Sequence, residues 1–462
     1  MTKLRQSRPV MGIILSILFI AFCCSPQVRA ILNLPQQQKM VVGETNIIPI
    51  KLPALLEERL VLEIFNPSRS VFATPEDPAV VLCKNGSAYE ITALKPGKAS
   101  LKIKLLGYIP VKSIAIESVP PRRVVVGGHS IGVLLQSRGI MVVGFAPIVD
   151  RQGEKLYPAR EQGVEIGDLI IKVNNQEVKT ETDLAKIIDT GKDSALVLNI
   201  KRKEKLLDLT IRPVFCSETQ RYRVGLFVRD GVVGVGTLTF WDPGTRQYAA
   251  LGHIIMDADT KQGIDVLKGR IVSASIQTIK PGKPGRPGEK IGVFQGESNL
   301  QGSIAKNTAA GIFGVTAGEV ENNKCIHNIE IGYAHQVHTG KAHIYTVVNG
   351  TDIEQFEVNI EKVYPERRNG KGMVVQITDT RLLSITGGIV QGMSGSPIVQ
   401  EGRLIGAITH VFLNDPQRGY GIFMDNILSE MPSQGTNVST ISTTICLPHM
   451  AACTEKHYLI PF

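Results

Sequence analysis

The residues best placed to do chemistry are Ser394, in the turn Gly392-Met393-Ser394-Gly395-Ser396-Pro397, and His253, about 140 residues earlier in Ala249-Ala250-Leu251-Gly252-His253. A serine hydroxyl attacks poorly until a neighbouring base takes its proton. A histidine in the same domain supplies such a base, and two backbone N–H groups can hold the oxyanion that forms. Gly392 and Gly395 tolerate positive φ, so the turn can aim the N–H groups of Gly392 and Ser394 at one point. Together these residues imply nucleophilic acyl transfer. Ser396 is a weaker candidate, because Pro397 follows it and no glycine frames it. The elbow Gly-x-Ser-x-Gly is not satisfied, since Ser396 holds the last place.

The partners of Ser394 are less sharply defined. The chain has nine histidines. His253 follows a turn at the end of a strand-like run, whereas His410 follows the serine too closely and reads as structural or substrate-facing. His335, His338 and His343 are closely spaced, but a strand would send the first two to opposite faces, so no metal is expected. An acid should orient the imidazole. Asp379 lies 15 residues before Ser394 at a probable strand end. On spacing alone Asp257, Asp259, Asp415 and Asp425 stay open, and the gap from Asp379 to Ser394 is short for a chymotrypsin-like order.

The elements that must position these groups are mostly strands. With 462 residues, two to four domains are expected, and 45 glycines with 25 prolines favour β-rich ones. Residues 216–430 read as an all-β, chymotrypsin-like double barrel, in which Pro397-Ile398-Val399 and Arg403-Leu404-Ile405 form a hairpin after the serine. Residues 31–121 alternate as short strands of a β-sandwich-like module. Residues 122–213 give strands, a short helix before Gly167-Asp168, a second helix from about Glu181, and a last strand. That order resembles the PDZ domains of bacterial proteases. The resemblance places the carboxylate-binding loop at Val143-Gly144-Phe145, where backbone N–H groups would receive a peptide C-terminus.

Charge and cysteines narrow the classes further. The net charge of +9 is scattered and carries no basic stripe interleaved with aromatics, so nucleic acid is not an expected partner. Of seven cysteines, none forms a CxxC pair, and neither a disulfide framework nor a zinc site is expected. Lys3, Arg5 and Arg8 precede an apolar run from Val10 to Cys24, which reads as a signal peptide or signal anchor over residues 1–30 and exports the rest. Residues 431–462 read as a flexible tail.

Taken together, Gly225-Leu226-Phe227-Val228-Arg229-Asp230, Gly234-Val235-Gly236-Thr237-Leu238-Thr239-Phe240, Ala250-Leu251-Gly252-His253 and Gly388-Ile389-Val390-Gln391-Gly392-Met393-Ser394-Gly395-Ser396-Pro397 closely resemble the stage IV sporulation protein B family of signalling serine peptidases. The resemblance runs from about residue 30 to 430. It implies a self-cleaving peptidase, without a cofactor, in the space between forespore and mother-cell membranes. Its implied partners are further copies of itself, as a substrate in trans, and a membrane-embedded regulator of an intramembrane metalloprotease, whose cleavage releases a late mother-cell sigma factor. A PDZ-bound peptide is a third. By the same resemblance the catalytic residues fall on His253, Asp379 and Ser394. The chain after Pro432 does not resemble the family's usual ending. A non-catalytic exported binding protein, with the PDZ unit as its working part, is the alternative.

Overall fold

The computed structural model describes residues 13, 16, 17, 20, 35–48, 59–65, 78–85, 88–295, 300–320, 328–367 and 369–432. Most of the expected targeting segment, and the tail beyond Pro432, lie outside them. Among the described residues no helix is long and apolar enough to cross a membrane.

Two compact units emerge. The first comprises Met1–Arg122 with Tyr333–Gln336. Its strands form a four-stranded sheet and a three-stranded sheet. Period-two patterning explains which faces are buried: in Leu60–Phe65, Leu60 and Leu62 turn inward while Val61 and Glu63 face solvent. Met40, Leu101, Ile103 and Ile116 fill the core between the faces.

The second unit contains twelve strands that close into two barrels. In the first barrel these are β1 (Ser130–Phe145), β2 (Leu226–Trp241), β3 (Gln247–Ala250), β4 (Val266–Lys280), β5 (Gln301–Thr308) and β6 (Gly311–Thr316). The ladders run β1–β2–β3–β6–β5–β4 and back to β1. In the second they are β7 (Gly340–Val347), β8 (Ile353–Val363), β9 (Met373–Ile377), β10 (Pro397–Gln400), β11 (Arg403–Phe412) and β12 (Asp415–Phe423). These run β7–β8–β9–β12–β11–β10 and back to β7. Closure pairs the strand edges that an open sheet would expose. Ile131, Leu238, Ile271 and Ile312 fill the first barrel, and Ile344, Phe356, Val358 and Ile398 are fully buried in the second. This is the expected chymotrypsin-like double barrel.

The PDZ fold is nested inside the first barrel rather than preceding it. Between β1 and β2 the chain forms α1 (Pro158–Glu161), α2 (Glu181–Gly191) and short strands including Leu169–Val173, Leu196–Arg202 and Lys205–Ile211. Both long strands serve two sheets. Residues 130–136 of β1 pair within the barrel, whereas 140–145 pair in the PDZ sheet with Leu169, Ile170 and the start of β2. A division into 122–213 and 216–430 therefore gives the barrel half of β1 to the PDZ unit and the PDZ half of β2 to the peptidase unit. Register irregularities let each strand turn from one sheet into the other, including one between Arg229 and Gly231. Glycine is required at the crossing: a Cβ on Gly231 would lie 2.3 Å from the Leu135 carbonyl oxygen, and one on Gly139 would lie 2.6 Å from that of Ile170.

Candidate active site

Ser394 ends a turn between α3 (Thr380–Thr386) and β10, and His253 lies just beyond β3. The two come from different barrels, and Thr237 of β2 joins their loops. Its N–H donates to the Ser394 carbonyl at 3.0 Å, and its own carbonyl accepts from the Leu251 N–H at 3.2 Å. Its hydroxyl donates to the Gly392 carbonyl at 2.7 Å. Gly395 makes this approach possible: its φ is +92°, and a Cβ there would sit 2.1 Å from the Thr237 carbonyl oxygen and 2.4 Å from the Leu251 nitrogen. Inside the turn, Met393 N–H donates to Val390 O at 3.0 Å and Gly395 N–H to Ile408 O at 2.8 Å. Among the described residues no protein group accepts from the N–H groups of Gly392 or Ser394, as an oxyanion hole requires.

The imidazole of His253 is buried and set in one tautomer. Nδ1 lies 2.9 Å from the Ile254 carbonyl, which has only lone pairs to offer, so Nδ1 carries the proton and Nε2 is the basic nitrogen. Burial, with the nearby His410 adding to it, pushes the His253 pKa down to about 4. The two rings are 5.4 Å apart between centroids. The Ser394 hydroxyl donates at 2.8 Å to the carbonyl of Thr409, the residue before His410. That carbonyl is fixed in turn, because the Thr409 hydroxyl donates to Gly370 O at 2.8 Å. The arrangement is a resting one, with a neutral base and a nucleophile held by a main-chain acceptor.

Asp379 does not join His253. It is the N-cap of α3, where Oδ1 accepts from Leu382 N–H at 3.0 Å and Oδ2 from Glu357 N–H at 3.3 Å. Its carboxylate is thus spent on backbone donors of the second barrel. Of the other candidate acids, Asp415 pairs with Arg418 at 2.6 Å, and Asp425 lies in the first turn of the helix Met424–Glu430. Asp257 is buried and bonds Arg229 at 2.5 Å, with Asp259 on the same guanidinium at 2.9 Å.

Two residues that sequence reasoning missed hold the loop after His253. Asn307 at the end of β5 accepts from Ile255 N–H at 2.8 Å and donates to Ile255 O and Ile264 O. Arg229 ties the PDZ half of β2 to Asp257. A polar residue closing a barrel strand was the only available signal for Asn307. His338 bonds Glu401 at the surface, and among the described residues no cluster of metal-ligating side chains exists.

Val143, Gly144 and Phe145 are not a carboxylate-binding loop. They lie in β1, with Gly144 opposite Phe227 and Phe145 opposite Leu226. The turn that precedes an unoccupied strand edge is instead Gly225, at φ +78°. Beyond it, residues 226–229 pair with β1 on one side and have no ladder partner on the other among the described residues. Helix α2 runs beside that edge: Glu181 N–H donates to Asp230, and Tyr222 N–H to Asp189 of α2.

A PDZ-bearing serine peptidase with a double β-barrel is the class these elements define. The comparisons specify it. Residues 220–428 match the SpoIVB peptidase S55 family and residues 149–202 match the PDZ domain, which together support a SpoIVB-type peptidase. A protein of Treponema pallidum (strain Nichols), described as a zinc metalloprotease, is 27% identical over 122 residues, which are 26% of this chain and 27% of that one. The chain thus spans about a quarter of the length of that relative. Among solved structures, the PDZ domain of an SdrC-like protein from Listeria monocytogenes is 19% identical, over 20% of this chain and 90% of that one, with a TM-score of 0.17. A thermostable serine protease from an extremophilic microorganism is 11% identical, over 43% and 88%, with a TM-score of 0.26.

Two outcomes follow. Thr237→Val removes the bond to Gly392 O and loosens the turn, and should slow acylation by about 100-fold with little change in circular dichroism. Stability should also fall on acidification. His253 has a folded pKa below its unfolded value of 6.5, so the unfolded chain binds the extra proton. The loss begins below pH 6.5 and runs to about pH 4, on the order of 3 kcal/mol. Thermal melts should show this slope in the wild type and a flatter one in His253→Gln.

Proposed function

We propose that the protein is an exported serine endopeptidase that cleaves itself and then a membrane-bound regulator of an intramembrane metalloprotease, so activating a late sporulation sigma factor. The Thr237 junction carries the catalytic part of this reading, because it draws the Ser394 turn and the His253 loop together. The match to the SpoIVB peptidase family supports the biological part. In the reaction the Ser394 hydroxyl leaves the Thr409 carbonyl and Oγ attacks the scissile carbonyl carbon, while His253 Nε2 takes the proton. The carbonyl oxygen becomes an oxyanion held by the N–H groups of Gly392 and Ser394. His253 then gives the proton to the leaving amine, the C–N bond breaks, and water hydrolyses the acyl-enzyme by the same steps. A base with a pKa near 4 is weak for this task, so substrate binding must raise its basicity.

The unoccupied edge of Leu226–Arg229 is the site proposed for a peptide C-terminus. The peptide adds as a strand beside α2, with its carboxylate at the turn of Gly225. The resting hydroxyl and the cap role of Asp379 favour a second reading, in which the barrels are a scaffold and the PDZ edge alone works.

Serine-directed probes separate the two. A fluorophosphonate should label Ser394 in the wild type and not in Ser394→Ala, and the variant should lose self-cleavage. Unchanged self-cleavage in Ser394→Ala would exclude this nucleophile. For the PDZ edge, short peptides with free C-terminal carboxylates, selected for binding, should slow amide exchange at residues 225–230, and amidated versions should not. Exchange left unchanged at those residues would exclude the edge.

A further inference from the structure

Lys290 is a lysine sealed inside the protein, with 2% of its surface exposed. It lies in the strand Glu289–Gln295, which pairs with β4. Its N–H donates to Gln391 O at 2.9 Å, and Gln391 N–H donates to Gly288 O at 2.8 Å. This strand therefore runs as a parallel bridge along the segment that enters the nucleophile turn. One residue further on, a Cβ at Gly392 would meet the Cβ, Cδ and Cγ of Lys290 at 3.1, 3.2 and 3.3 Å. The lysine stem lies flat against the face that this glycine leaves open. The side chain ends with Nζ donating to Thr346 Oγ1 at 2.7 Å. Thr346 is fully buried on β7. It stands two residues past Ile344, which pairs with Ile398 of β10, and so beside the point where the turn passes into that strand.

A single neutral acceptor is poor compensation for a buried ammonium. Burial pushes the Lys290 pKa down to about 7. A methionine would fill the same space without desolvating an amine, so packing alone does not account for a lysine here. What the amine adds is an anchor, because it fixes the far end of a chain that otherwise has four free torsions.

We propose that Lys290 is a positioning residue of the oxyanion turn: tied to Thr346 at its amine and to Gln391 at its backbone, it holds its stem against Gly392 and keeps the Gly392 N–H on aim. The inference rests on the serine-peptidase reading above and concerns the same site. Lys290 acts through Gly392 and does not touch the reacting atoms.

The test is the rate of covalent labelling by a fluorophosphonate. In that step the Ser394 Oγ–P bond forms, the P–F bond breaks, fluoride leaves, and the hydroxyl proton goes to the base. The phosphoryl oxygen takes the place of the oxyanion. Lys290→Met keeps the stem and loses the anchor, while Thr346→Val keeps the lysine and loses its acceptor. Each should lower the maximal labelling rate by about 10- to 100-fold, with the half-saturating probe concentration within about twofold of wild type. The melting temperature of Lys290→Met should match or exceed that of wild type, since a buried amine has been removed. Wild-type labelling rates in both variants overturn the inference, as does a loss that only tracks the folded fraction. If Lys290→Met does not fold, Thr346→Val decides the matter. An unlabelled wild type removes the serine-peptidase reading itself, and the inference with it. That failure is told apart by the wild-type control.

Discussion

Everything at the candidate site hangs on one threonine. Thr237 uses its amide, its carbonyl and its hydroxyl on two different loops: the amide and hydroxyl reach the distant serine turn, and the carbonyl takes the Leu251 N–H of the loop that leads to His253. Thr239 of the same strand adds to the junction, its buried hydroxyl donating to Gly395 O at 2.8 Å. The Gly395 contact shows how tight the junction is: with no side chain at that point, the backbones of the turn, of Thr237 and of Leu251 come within van der Waals reach. A single added methyl group at Gly395 would push the serine turn away from Thr237 and Leu251.

The site as it stands favours rest over reaction. Imidazole in a dry setting stays neutral, which is the right charge state for accepting a proton but a poor one for keeping it. In most serine-peptidase sites a carboxylate balances the imidazolium as it forms. Here the Ile254 carbonyl sets the ring's tautomer without adding negative charge, and Asp379 is held elsewhere by two amides. The Thr409 carbonyl holds the nucleophile's proton meanwhile. The Arg229–Asp257 pair ties the loop after His253 to the PDZ half of β2.

How much of this the sequence discloses depends on the range of the interaction. The Ser394 turn was legible because glycine at positive φ is a local demand that leaves a local mark. The β-rich class was legible from alternation and turn residues. Asp379 was assigned by resemblance, yet Asp followed three residues later by a helical Leu382 is also the pattern of an N-cap, and in this structure the local role prevails. The PDZ loop was misplaced because Val143-Gly144-Phe145 and Gly225-Leu226-Phe227 are both apolar runs around a glycine. Only the pairing between them, over 80 residues of sequence, tells strand from loop. Lys290 left no sign and Asn307 only that of a polar residue closing a strand, since their meaning lies in what is packed around them.

The nesting of the PDZ fold has a consequence for how the molecule comes to be folded at all. The barrel halves of β1 and β2 must pair across an intervening stretch of roughly 94 residues, from Gln136 to Gly231, and closing a floppy loop of that length costs about 4 kcal/mol in chain entropy. A folded PDZ domain removes most of that cost, because it already holds the upper halves of the same two strands side by side. The inserted domain thus lowers the entropic cost of closing the first barrel, and with it the cost of bringing the His253 loop to the Ser394 turn.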